Sequence, residues 1–131
     1  MTRGARRPTR EEKRRRERYG RTAETIAVLW LSLRGHRILG RRLRTPVGEV
    51  DLLAERGRTI VVVEVKARAS RTAGLEALGP HQRRRLEQAA AWLTANRHEL
   101  RDRPIRFDLV IVRPWRLPCH LSDAWRPGLV G

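Results

Sequence analysis

The stretch from Pro46 to Arg71 constrains this chain most, because it holds two apolar runs joined through a polar turn. Leu52, Leu53 and Ala54 lead into Glu55-Arg56-Gly57-Arg58, and Ile60 to Val63 lead out. Aliphatic and β-branched runs around a glycine turn read as a β-hairpin. With Gly57 and Arg58 as the loop, glycine in first position suits a type II′ turn. The register that follows sets Asp51 opposite Glu64 and Glu49 opposite Lys66. Strand side chains alternate, so these charges share one face. Like charges directly opposed, with Cβ atoms about 5 Å apart, repel unless something compensates. The neighbouring positions are apolar on both faces, as in a central strand covered by helices. Two half-buried carboxylates there suit a hard divalent cation such as Mg²⁺. An ordinary hairpin with cross-strand salt bridges, Glu49 with Lys66 for example, accounts for the same spacing.

One detail separates the two readings. Of 30 Lys and Arg residues, only Lys13 and Lys66 are lysines. A compact ammonium beside a carboxylate pair is not equivalent to a wide guanidinium, so Lys66 points to a tight site.

Asp51, twelve intervening residues and then Glu64-Val65-Lys66 resemble the active-site motif of the PD-(D/E)XK nucleases. Gly48 to Leu53, Val63 to Arg68 and Arg106-Phe107-Asp108 together resemble the YraN family, small bacterial proteins related to archaeal Holliday-junction resolvases. The likeness spans roughly residues 20 to 113, with Val50 standing where the superfamily name has proline. It implies a restriction-endonuclease-like αβββαβ core with a short mixed sheet between helices. Periodicity alone supports only a mixed α/β sandwich. The resemblance further implies Mg²⁺ or Mn²⁺ held by Asp51, Glu64 and the Val65 carbonyl, with Glu49 as an added ligand. Lys66 would orient water or stabilise charge on the phosphorus. The acidic residue such proteins carry on their first helix is matched by Glu24, although a glutamate in a first helical turn also satisfies the helix dipole. The polar residue opening the second helix is matched by Gln82, whose amide alternatively caps buried backbone. The implied activity is endonucleolytic cleavage of DNA, branched DNA included. The competing readings are a non-catalytic nucleic-acid-binding module on the same fold, and a structural protein docked on a ribonucleoprotein or repair complex.

The net charge of +16 fits a nucleic-acid partner, DNA ahead of RNA, although a solvated basic surface explains it too. Residues 1–20 supply +6 of it, so the charge is not only a tail. Candidate phosphate contacts are Arg44, Arg68, Arg71, Arg83 and Arg84, with Arg85 beside the last two on the second helix and Arg41 and Arg42 beside Arg44 on the first strand. A two-fold junction would call for a homodimer. Cys119 is alone, which excludes an internal disulfide and a Cys-based zinc site. The four histidines show no paired ligand spacing, so no His-based zinc site is expected. The longest apolar run, Ile26 to Leu33, is too short for a membrane span. The expectation is a soluble cytoplasmic protein without a membrane partner.

In order along the chain, residues 1–20 read as a disordered basic arm, with helix allowed from Glu11 to Arg18. A domain over 21–113 follows, opening with a helix from Thr22 to Arg34 that Gly35 stops. Arg37 to Arg44 is a strand, the segment after Lys66 up to Gly79 is irregular, and Pro80 to His98 is a helix. Ile105 to Val112 is the last strand, with Asp108 the ion-pair partner of a nearby arginine. Residues 114–131 read as an irregular tail whose Trp115 and Trp125 either stack on bases or pack on the domain. Removing residues 1–20 is expected to lower the magnitude of the salt slope of nucleic-acid binding. An unchanged slope would show that the arm makes no phosphate contacts.

Overall fold

The computed structural model describes residues 7–127, so the outermost parts of the arm (1–6) and of the tail (128–131) lie outside the described residues. The first helix, α1, runs from Arg10 to Leu33 without a break. It therefore begins well before Thr22 and takes in the second half of the expected arm. The reason is local. Thr9 accepts a hydrogen bond from the Glu12 N–H while the Glu12 carboxylate accepts from the Thr9 N–H, a capping box at 3.2 and 3.1 Å. The arginines and glutamates that follow are good helix formers. The early turns still bury no apolar face; Ala23, Ala27 and Leu31 are the buried positions of α1, with Ile26 and Val28 packed against the same core. Gly35, at φ 83, closes the helix through paired bonds from Gly35 N to Ser32 O and from His36 N to Leu31 O.

Strands β1 (Arg37–Thr45), β2 (Gly48–Arg56) and β3 (Thr59–Ala67) follow as an antiparallel meander. Leu52 pairs with Val63 and Arg56 with Thr59, the register expected for a Gly57-Arg58 loop, and Gly57 has φ 60. The segment after Lys66 is not irregular throughout. Helix α2 (Arg71–Ala77) starts at Ser70, whose hydroxyl accepts from the Ala73 N–H at 3.1 Å. Gly74 packs so closely on the sheet that a Cβ there would lie 2.5 Å from Ile111. Helix α3 (Pro80–Asn96) leads back to β4 (Ile105–Val112), which runs parallel to β3.

The tail reading is corrected as well, because Cys119–Trp125 forms β5, antiparallel to β4. Its burial follows no clean alternation and its pairing shifts register, so periodicity could not reveal it. Trp125 is buried and stacks on Phe107 at 5.1 Å, which settles its packing role. The sheet order is β1-β2-β3-β4-β5. One core, with Leu53, Val62, Leu86, Leu93 and Leu109, lies under α3, and the other, with Leu31, Leu52, Val61 and Val63, lies under α1. The helix, three strands, helix and parallel strand of the expected αβββαβ core are all present, with α2 and β5 added.

Asp108 is fully buried on β4 and ties three elements together. Arg106 donates to both of its oxygens at 2.8 Å, His120 of β5 donates at 2.7 Å, and the Asp123 N–H donates at 2.9 Å. Arg106 also donates to His36 Nε2 at 2.9 Å, and His36 Nδ1 meets Leu31 O at 3.2 Å at the end of α1. Asp108 is thus the ion-pair partner that sequence reading expects. Burial alone would raise its pKa, but the His120, Arg106 and Asp123 donors outweigh it and hold the carboxyl at about 2. Its contribution to stability is complete above the ordinary value of 3.8 and is lost as pH falls through about 2. Asp108→Asn is expected to cost about 3 kcal/mol, because it removes a fully buried charge and leaves the half-buried Arg106 guanidinium without its counter-charge. Urea unfolding at pH 7 measures this, and the gap to the parent should narrow toward pH 2; equal midpoints at pH 7 would contradict it.

Candidate active site

The ladder between β2 and β3 ends at Leu52 and Val63. Beyond that pair β2 stays with β1 as far as Thr45 and Gly48, and β3 stays with β4 as far as Ala67 and Val112. The two central strands therefore part where Asp51 and Glu64 stand. Parting leaves backbone groups without ladder partners, and a buried N–H needs one. Asp51 answers this locally, accepting the Val65 N–H on Oδ2 at 2.9 Å. That bond fixes the carboxylate between the strands.

Glu64 is buried and also held. Its Oε1 accepts from Gln82 Nε2 at 2.9 Å, and Lys66 Nζ lies 3.3 Å from the same oxygen. Gln82 sits in the first turn of α3, so the helix start delivers its amide to the strand pair instead of to buried backbone. The expected pairing of Glu49 with Lys66 does not form, because the strands have already parted; Glu49 instead lies 3.9 Å from Arg44 on β1. Gly48, Glu49, Asp51, Glu64, Gln82, Arg85 and Leu86 line a cleft of about 270 Å³.

The electrostatics of this cleft are under-compensated. Burial, followed by the nearby Asp51 carboxylate, pushes the Glu64 pKa up to about 8 against the pull of Lys66. Burial raises Asp51 too, opposed by the Val65 N–H and by a hydrogen bond from Glu64. With both carboxylates ionised, one ammonium would face two of them, buried Glu64 and half-buried Asp51, which leaves room for a further positive charge among oxygen donors. That is the donor chemistry a hard divalent cation takes.

Glu24 comes from α1, on the opposite face from α3. It is 2.8 Å from Arg42 Nε, acts on Asp51 through its field, and does not line the cleft. With α1 starting at Arg10, Glu24 lies mid-helix, so the first-turn dipole account of it fails. Among the proposed phosphate contacts, Arg44 is exposed beside Glu49 and Arg68 is exposed at the end of β3, donating to Ala67 O. Arg71 is exposed at the start of α2, Arg83 is half-buried and Arg84 is exposed. The arginine that does line the cleft is Arg85. Helical spacing was the available signal, since Gln82, Arg85 and Leu86 fall on one face at i, i+3 and i+4.

Contrary to expectation, histidines do gather. Ligand atoms of His36, Asp108 and His120 lie within 4.8 Å of one another. Residues this far apart in sequence carry no spacing signal. The Arg106 guanidinium donates to Asp108 and His36 together, so it occupies the lone pairs that a metal would use. We read this cluster as a structural network centred on a fully paired Asp108, although the buried Nδ1 of His120 has no hydrogen-bond partner.

A mixed five-stranded sheet with helices on both faces and a carboxylate-lined parting of its central strands defines a restriction-endonuclease-like fold. The chain belongs to Uncharacterised protein family UPF0102, whose model matches residues 23–112 and which is the YraN family of the sequence resemblance. It is 54% identical over 110 residues to a UPF0102 protein of Parvibaculum lavamentivorans, covering 84% of this chain and 83% of that one. It is 54% identical over 108 residues to one of Caulobacter vibrioides (82% and 86%), and 49% identical over 114 residues to one of Paramagnetospirillum magneticum (84% and 88%). No helix among the described residues is long and apolar enough to cross a membrane.

Because the folded pKa of Glu64 is raised from 4.5 to about 8, its contribution to stability is complete below 4.5 and is lost as pH rises through about 8. Glu64→Gln stays neutral throughout. Urea midpoints in EDTA should therefore fall from pH 5 to pH 9 more steeply for the parent than for the variant; parallel profiles would refute the buried, proton-holding Glu64.

Proposed function

We propose that the cleft is the active site of a metal-dependent endonuclease that hydrolyses phosphodiester bonds in nucleic acid, DNA ahead of RNA, with branched DNA among its substrates. The observation that carries this reading is the convergence of Asp51, Glu64, Lys66 and Gln82 at the parting of two buried strands, with Glu64 raised to about 8. Asp51, Glu64 and the Val65 carbonyl would hold Mg²⁺ or Mn²⁺, and Glu49 on the cleft wall offers a further oxygen. A bound ion of this kind neutralises phosphate charge and acidifies water.

The other roles fall to the chain's own side chains. Lys66 keeps an ammonium beside Glu64, where negative charge develops on a phosphoryl group. Gln82 fixes the orientation of Glu64 through Oε1. Arg85 supplies a guanidinium to a phosphate at the cleft wall. Glu24 acts on Asp51 from a distance as a positioning charge. The net charge of +16 attracts the polyanion without reading its sequence. On this reading the chain works in the cytoplasm, and a two-fold branched substrate would engage a homodimer.

The test is cleavage of labelled duplex, single-stranded, flap and four-way-junction DNA in Mg²⁺ or Mn²⁺, with EDTA as control. Asp51→Asn and Glu64→Ala should abolish cutting and leave binding intact. Lys66→Gln should slow cutting by about 100-fold or more, the usual effect of removing a donor aimed at developing charge. Cleavage that survives EDTA or Glu64→Ala would end the assignment. Tight binding without cleavage in either metal would leave a non-catalytic binding module on the same fold.

A further inference from the structure

β4 runs parallel to β3 with Lys66 beside Ile111 and Ala67 beside Val112, and the Arg68 N–H donates to Val112 O at 3.1 Å. The turn from Arg113 to Pro118 therefore leaves the sheet at the same end as Lys66. At its tip stands Trp115, 103% exposed. The other tryptophans behave differently: Trp125 is buried, Trp30 and Trp92 are half-buried, and all three sit on packed elements. An indole presenting its whole surface to water forgoes the burial that usually fixes this residue.

The turn is also held. Arg113 Nη2 donates to Leu117 O at 2.9 Å, and Pro114 and Pro118 bracket the tip. Trp115 has φ 58, a left-handed conformation that a bulky residue rarely adopts and that the surrounding turn must maintain. Both neighbours that carry charge, Arg113 and Arg116, are basic, and Arg68 lies at the adjoining end of β3. An exposed aromatic face in a turn that carries Arg113 and Arg116, with Arg68 at the adjoining strand end, matches the chemistry of a nucleobase with flanking phosphates.

We propose that Trp115 stacks on an unpaired base beside the cleft and so directs this protein to nucleic acid with exposed base faces, flaps, junctions and single strands, over continuous duplex. The proposal rests on the nuclease reading and names the substrate class of that same site. A continuous duplex hides its base faces in the stack and offers Trp115 only phosphates. An opened junction or flap offers a free face at the strand exchange.

The experiment measures binding, in EDTA, of fluorescein-labelled flap DNA and of continuous duplex of the same sequence, to the parent, Trp115→Ala and Trp115→Phe. The parent should prefer the flap. Trp115→Ala should weaken flap binding by about 5- to 100-fold, the range of a single base stack, and leave duplex binding unchanged. Trp115→Phe should recover most of the loss. Flap binding to the parent should also quench indole emission that is missing from Trp115→Phe. If Trp115→Ala binds both DNAs as the parent does, or weakens on both alike, the proposal is wrong while the nuclease reading stands. A parent that binds neither DNA at low salt overturns both. Loss of an unrelated protein partner in Trp115→Ala, with flap binding intact, would assign the turn to protein docking and overturn the proposal.

Discussion

The hydrogen bond from the Val65 N–H to Asp51 is the contact on which the cleft depends. A sheet interior does not leave backbone donors unpaired, so β2 and β3 can separate only if something replaces the lost ladder. A side chain from the departing strand does this at 2.9 Å, and the gap stays open. Every other feature of the cleft follows from that separation. Glu64 turns into the gap, Lys66 follows two positions on, and α3 begins where Gln82 can reach Glu64. Without the parting, Asp51 and Glu64 would be a repulsive cross-strand pair in an ordinary hairpin.

The two faces of the sheet solve the problem of buried charge in opposite ways. Under α1, Asp108 has Arg106, His120 and a backbone N–H around it, and its carboxyl sits at about 2. Under α3, Glu64 shares one lysine with Asp51 and sits at about 8. The same residue class at similar burial is thus fully paired on one face and left wanting on the other. The paired Asp108 carboxylate explains structure, linking the end of α1 to β4 and β5. The less compensated pair leaves room for a partner the chain does not supply, and that contrast, more than the presence of carboxylates, is what the proposed function builds on.

Much of this was legible in the sequence because strand physics is local. The Gly57 turn set the register of β2 and β3, and the alternation from it brought Asp51, Glu64 and Lys66 to one place. The order of the core elements followed from their periodicities and from the family likeness. The early start of α1 was written in Thr9 and Glu12 but outweighed by a lack of apolar residues, which governs burial and not helicity. β5 was hidden because its partner lies across a turn and its burial is irregular. The strand parting could not be read at all. It depends on β2 and β3 each preferring an outer neighbour, a tertiary fact, and it is why the Glu49 and Lys66 pair gave way to separate contacts with Arg44 and Glu64.

The charge distribution joins these strands of evidence. A chain with net charge +16 carries, at one small cleft, the carboxylates of Glu49, Asp51 and Glu64. On the nuclease reading, long-range attraction would bring a polyanion to the surface, where exposed Arg44, Arg68 and Arg71 stand. At the cleft itself the carboxylates oppose a phosphate at short range. The nuclease reading resolves the conflict, since a cation in the cleft reverses the sign of the local field. Cation and phosphate each then improve the other's binding, and thermodynamic linkage makes that coupling equal in both directions. A binding module with no cation would have to keep its substrate away from this cleft, and the crowding of Glu64 against Asp51 would then have no functional counterpart.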